Sequence, residues 1–216
     1  MNAEPQLAAP EDRFDVLLRV GLFATVTMVV RSVVPILFTL FPGYDDLTLS
    51  ALTSFIAGAV ANLTAARWFE SGKLKDVGLA WTPASARHLA LGFVLGAAAI
   101  VTIVGGSIAA GWATFEAGPF GGIVPLLILL LVLILAVIGE ELIFRGYAFQ
   151  YLLRFWPPLP AILLVGLLFG AAHLLNNTGI QPLGALNTAL WGSLLGYAFW
   201  RTKTLWLPIG LHAGWN

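Results

Sequence analysis

The run "GGIVPLLILLLVLILAVI", residues 121–138, contains no charged side chain. It approaches the roughly 20 apolar residues that cross a hydrocarbon core of about 30 Å. In lipid such a segment must satisfy its own backbone hydrogen bonds, which leaves the helix as its stable form. The rest of the chain agrees. Of 216 residues 59% are hydrophobic and 10% are charged, with a mean hydropathy of +0.89, whereas a soluble domain carries about 25% charged residues. A transmembrane β-barrel is excluded because the apolar runs are continuous rather than alternating. The expected fold is therefore all-α, a polytopic transmembrane helix bundle of about seven spans.

Candidate spans cover residues 16–40, 48–69, 88–110, 122–153, 159–177, 184–200 and 204 onward. From 204 the sequence has thirteen residues left, which rise only about 20 Å as helix. A last span cut short is expected, in preference to a half-span. Residues 1–13, "MNAEPQLAAPEDR", are polar and acidic and lack the basic start and apolar core of a signal peptide. They read as a disordered cytoplasmic tail, followed by N-terminal transmembrane helices over 14–120 and a core over 121–216. Eleven basic and eleven acidic residues balance to zero, so no nucleic-acid surface is indicated. The absence of cysteine excludes disulfides, a cysteine zinc site and a thiol nucleophile.

Ten of the eleven Lys and Arg residues fall at alternate span ends, and the loops 41–47, 111–121 and 178–183 carry none. The positive-inside rule then puts the N-terminus in the cytoplasm. Arg31, within the first span, is expected to snorkel or to pair with a carboxylate. His88 beside Arg87 reads as interfacial, and Ser193 in "WGSLLG" as a packing residue.

The charged group in "GEELIFRGYAFQ", residues 139–150, is costly inside a bilayer and marks a functional site. Glu141 and Arg145 are four apart and share a helix face, so they are expected to pair. Glu140 is rotated by about 100° from Glu141 and is left for chemistry. If this helix runs on to Arg154, Glu140 lies about 21 Å from its end, and His173 and His212 reach comparable heights on two other helices. The competing reading ends the helix at Ile138 and puts all three charges in water. His173 in "LLFGAAHLLNN", with His212 and Asn216 in "LHAGWN", completes a set of two imidazoles, a carboxylate and an amide. Gly139, Gly170, Ala171, Ala172, Gly210, Ala213 and Gly214 are small enough to let these helices approach.

Three motifs now stand in order. "EELIFRG" resembles the EExxxR motif of the CPBP intramembrane proteases, the group of CAAX prenyl protease 2 and the lysostaphin-resistance-A-like proteins. "FGAAH", with Phe169 and His173, resembles their FxxxH motif, and "HAGWN", with His212 and Asn216, their HxxxN/D motif. The resemblance covers residues 121–216. It implies an intramembrane endopeptidase in which Glu140 and His173 activate a water while His212 and Asn216 stabilise the oxyanion. Arg145 would hold Glu141, with Phe169 in support. The implied partners are a peptide or protein substrate at the membrane and the lipid bilayer. Two histidines and a carboxylate (Glu140, His173 and His212) form a plausible zinc set, as in a metalloprotease. Asn216 is a poor zinc ligand and a good hydrogen-bond donor, which favours a metal-free mechanism. Compact length and short loops point to a bacterial inner membrane. Two other classes use the same residues differently: a transporter or proton relay, and a non-catalytic bacteriocin-immunity protein on the same fold.

Overall fold

The computed structural model describes residues 10–40, 43, 45–116, 118, 121–175 and 181–216. Among them the chain forms eight α-helices and no strand. These are α1 (Pro10–Phe38), α2 (Asp46–Phe69), α3 (Pro83–Ala109), α4 (Ile123–Arg145), α5 (Tyr147–Phe155), α6 (Pro158–Leu175), α7 (Pro182–Thr202) and α8 (Trp206–Trp215). A single 3-10 turn, Leu74–Val77, lies between α2 and α3. Local chemistry sets several of these ends. The Asp45 carboxylate accepts the Thr48 N–H at 2.8 Å and caps α2. Pro83 and Pro182 open α3 and α7, where the missing N–H would have had no partner within the helix. Gly78 ends the 3-10 turn at φ 75°, a left-handed conformation suited to glycine.

Four stretches are long and apolar enough to cross a bilayer: Arg13–Phe38, Asp46–Phe69, Pro83–Ala109 and Ile123–Phe155. The chain is an integral membrane protein. Leu127 through Leu131 stay 43–57% exposed, an apolar outer surface of the kind lipid requires. Two expectations need correction. The helix read as running from 122 to Arg154 breaks at Gly146, so α4 and α5 are separate. Helix α1 begins at Pro10, inside the stretch read as a tail; residues 1–9 lie outside the described residues.

Small residues set the helix contacts. Helices α3 and α8 run parallel and nearly touch along Gly92, Gly96, Gly210 and Gly214. A Cβ on Gly96 would sit 2.1 Å from Leu211 O, and one on Gly214 would sit 2.1 Å from Phe93 O. Glycines four apart on both helices thus let the backbones meet, and that contact carries His212. On α4, a Cβ at Gly139 would come 2.4 Å from Phe55 N of α2, which seats the residue before Glu140 against α2. Gly170 packs on Ala185 O of α7 in the same way. Of the small residues expected at such contacts, Ala171 is instead exposed. The larger core lies around α5, where Tyr147, Phe149, Ala161, Phe199 and Leu205 are almost fully buried.

Candidate active site

The last two turns of α4 hold Glu140, Glu141 and Arg145. Glu141 and Arg145 have no exposed side-chain surface, and Arg145 NH1 lies 3.1 Å from Glu141 Oε1. The i,i+4 pair expected from the sequence is present, and it is buried rather than solvated. Arg145 NH2 also donates to Gly192 O of α7 at 2.6 Å. Its guanidinium stacks 4.6 Å from the centre of the Phe169 ring, a geometry in which ring and cation attract.

Glu141 has a second partner that the sequence did not reveal. His212 Nδ1 lies 2.8 Å from Glu141 Oε1. A carboxylate oxygen accepts, so Nδ1 donates, and the opposite nitrogen is turned toward Glu140. The Nε2 atom of His212 stands 3.7 Å from Glu140 Oε2. His173 repeats the pattern from another helix. Its Nδ1 donates to Phe169 O, one turn back, at 2.8 Å, and its Nε2 stands 3.8 Å from the same Glu140 oxygen. One carboxylate oxygen therefore faces two imidazoles at distances too long for direct hydrogen bonds and suited to a shared water. The Glu140 side chain is 23% exposed, against 5% for His212.

Phe169 is the hub of the group. It is 1% exposed, and its ring lies 4.5 Å from His173, 5.8 Å from His212 and 5.0 Å from Phe144. The FxxxH spacing thus does two things: the phenylalanine carbonyl fixes the tautomer of the histidine, and the ring packs both imidazoles and the arginine.

Asn216 stands one turn beyond His212 on α8, where its backbone N–H bonds His212 O at 3.1 Å. It is exposed, and no hydrogen bond joins its side chain to Glu140, His173 or His212. Arg31 donates to the Ser54 hydroxyl at 2.9 Å, a neutral partner rather than the carboxylate expected as one option. Ser193 bonds Ala189 O on its own helix and packs where Gly166 leaves room, a packing role.

Residues 122–216 match the family model described as type II CAAX prenyl endopeptidase, Rce1-like. That segment is Rce1-like. It contains Glu140, Glu141, Arg145, Phe169, His173, His212 and Asn216, so the three motifs and the family match coincide. Residues before 122 lie outside the match. No curated protein matches the chain. The match covers less than half of the chain and shows a similarity of this segment to that family.

A zinc ion held by such residues needs its ligand atoms about 2.0–2.2 Å from one point. Among the described residues no group of three or more His, Asp or Glu side chains is arranged to hold a metal.

Sequence reading missed two residues at the break between α4 and α5, beside the side chains of this site. Gly146 breaks α4 directly after Arg145; a Cβ there would lie 2.0 Å from Leu142 O and 2.3 Å from Asn62 Oδ1. Asn62 of α2 fills the corner of the break. The available signals were a glycine after the charged turn and a lone amide in an apolar span.

Proposed function

We propose that the chain is an intramembrane endopeptidase that hydrolyses a peptide bond of a membrane-associated substrate. The observation that carries this reading is the convergence of His173 Nε2 and His212 Nε2 on Glu140 Oε2, at 3.8 and 3.7 Å. A water held between Glu140 and His173 gives a proton to Glu140 as its oxygen attacks the scissile carbonyl carbon. The carbonyl oxygen takes the negative charge. Protonated His212 offers it an Nε2–H, while Glu141 accepts from Nδ1 of the same ring and stabilises the imidazolium. Asn216 is assigned to the oxyanion beside it. The tetrahedral intermediate then collapses, the C–N bond breaks, and Glu140 returns its proton to the leaving amine. Donors aimed at a developing oxyanion in a site shielded from water supply a large part of such an acceleration, and a positioned acid–base group adds about 10²–10⁴-fold.

The orientation that goes with this reading puts the N-terminus in the cytoplasm of a bacterial inner membrane, following the distribution of basic residues.

The test is hydrolysis of a peptide library by the purified chain in nanodiscs, with and without chelator. Glu140→Gln, His173→Ala and His212→Ala are expected to abolish cleavage while the protein still inserts and folds. Full cleavage by Glu140→Gln would overturn the mechanism. Loss of wild-type cleavage on chelation, restored by zinc, would replace the metal-free form with a metal-dependent one.

A further inference from the structure

The break between α4 and α5 is stapled by a residue outside the Rce1-like segment. Asn62 lies on α2 and is 3% exposed. Its Nδ2 donates to Leu142 O at 2.8 Å and to Gly58 O on its own helix at 2.7 Å. Its Oδ1 accepts the Tyr147 N–H at 2.8 Å. Ending α4 at Arg145 frees Leu142 O, which would otherwise accept from the Gly146 N–H, and leaves the first N–H of α5 without an intrahelical partner. One carboxamide answers both. In a dry interior such backbone groups must find partners within the protein, so the break is a built feature with a defined geometry.

We infer that Asn62 is a positioning residue for the reaction proposed above, and the inference rests on that reading. Leu142 follows directly on Glu140 and Glu141. Successive residues differ by about 100° around a helix, so a modest rotation of this last turn moves Glu140 away from the two imidazoles. It also swings Glu141 off His212. A helix end has no following turn to fix it; here α2 supplies the bonds at Leu142 O and Tyr147 N, beside those that Arg145 makes to Gly192 O and Gln150 makes to Arg145 O. The glycine fits the same account, since only the lack of a Cβ at position 146 leaves space for the Asn62 amide. The role of Asn62 is to set the azimuth of Glu140 and, through Glu141, the orientation of the His212 ring.

The test compares Asn62→Ala and Asn62→Ser with Ser85→Ala in the full chain in nanodiscs. Serine at 62 can still bond Gly58 O, as Thr27 bonds Phe23 O and Ser193 bonds Ala189 O one turn back. It therefore loses only the two bonds across the helix interface and gives a milder background if the alanine variant does not fold. Ser85 is 1% exposed and bonds Ala80 O and Thr82 N at the start of α3, so its variant reports general loss of stability. Two quantities are read: kcat and KM for peptide hydrolysis, and the nitrogen-15 spectrum of the histidines, of which the chain has three. Both Asn62 variants are expected to lower kcat by about 10²-fold, the scale of a misplacement of about 1 Å, with KM within about twofold. Both should also move the His212 Nδ1 signal as its bond to Glu141 weakens and leave His88 unchanged. Ser85→Ala should leave both readouts as in the wild type. A folded Asn62→Ser with wild-type kcat and His212 signal overturns the inference, as does a Ser85→Ala variant that reproduces the losses. If the wild type cleaves nothing, the peptidase reading fails, and the histidine spectrum alone still decides whether Asn62 sets the geometry.

Discussion

Glu140 and Glu141 are neighbours in sequence with opposite surroundings. Glu141 Oε1 receives Arg145 NH1 at 3.1 Å and His212 Nδ1 at 2.8 Å, with no side-chain surface exposed. Glu140 keeps a quarter of its side chain open and meets its imidazoles only at 3.7–3.8 Å. The energetic consequence is large. Removing one partner of a buried ion pair leaves the other charge uncompensated, at a cost of about 3–5 kcal/mol. Arg145→Met is therefore expected to lower the unfolding free energy by that amount in detergent. Glu140→Gln, which leaves no buried charge behind, should stay within about 0.5 kcal/mol of the wild type. Equal destabilisation by the two variants would show that the glutamates are interchangeable and would remove the basis for assigning them separate roles. The division between the glutamates was legible in the sequence, because the i,i+4 spacing of Glu141 and Arg145 is a property of one helix. The bond from His212 to Glu141 was not, because it depends on the relative height and rotation of α4 and α8, and no spacing within either helix encodes that.

Helix α8 owes its height to glycine. Its ten residues are too few to cross a bilayer, yet His212 is fixed because Gly210 and Gly214 let α8 lie directly on the backbone of α3. The contact is testable through a pair of glycines on α3. A Cβ at Gly96 would lie 2.1 Å from Leu211 O, whereas one at Gly105 would meet nothing within 4 Å. Overpacking of a close contact costs about 1–3 kcal/mol. Gly96→Leu is thus expected to lose about that much stability and to push His212 away from Glu141, read in the histidine spectrum. Gly105→Leu should be neutral by both measures. If Gly105→Leu is as damaging as Gly96→Leu, the packing account of α8 is wrong. At this scale the sequence was only partly legible. Hydropathy located the apolar helices, and small residues marked the tight contacts at Gly139, Gly170, Gly210 and Gly214. It could not show the break at Gly146, because the segment stays apolar through Leu153 and the partner that makes the break tolerable, Asn62, lies 85 residues before Tyr147. The depth of Glu140, counted along one unbroken helix, fails for the same reason: α4 ends five residues after Glu140, about 8 Å of helix.

Apart from Arg31, which bonds Ser54 within the helices, the basic residues gather toward one end of the bundle. Arg19 of α1 and Arg154 of α5 both reach Glu70 at the end of α2, at 3.7 and 3.1 Å. Gly78, after the 3-10 turn, accepts from Leu205 N at 2.9 Å, which brings the segments before α3 and α8 together. The start of α1, the ends of α2, α5 and α7 and the starts of α3 and α8 are therefore on one side, and the loop that holds Trp112 and Phe115 lies beyond the far end of α3. This sidedness can be measured directly, because the chain contains no cysteine to remove. Lys73→Cys and Phe115→Cys place single thiols at exposed positions on opposite ends. In intact cells an impermeant maleimide is expected to label Phe115→Cys at once and Lys73→Cys only after the membrane is opened. The reverse pattern would place the N-terminus outside, and with it the bundle end that holds Arg19, Glu70 and Arg154. Labelling of both thiols from the same side would contradict α3 as a complete span. Connectivity puts Lys73 and Phe115 at opposite ends of α3, and the choice of which end faces the cytoplasm is the prediction of the positive-inside rule alone.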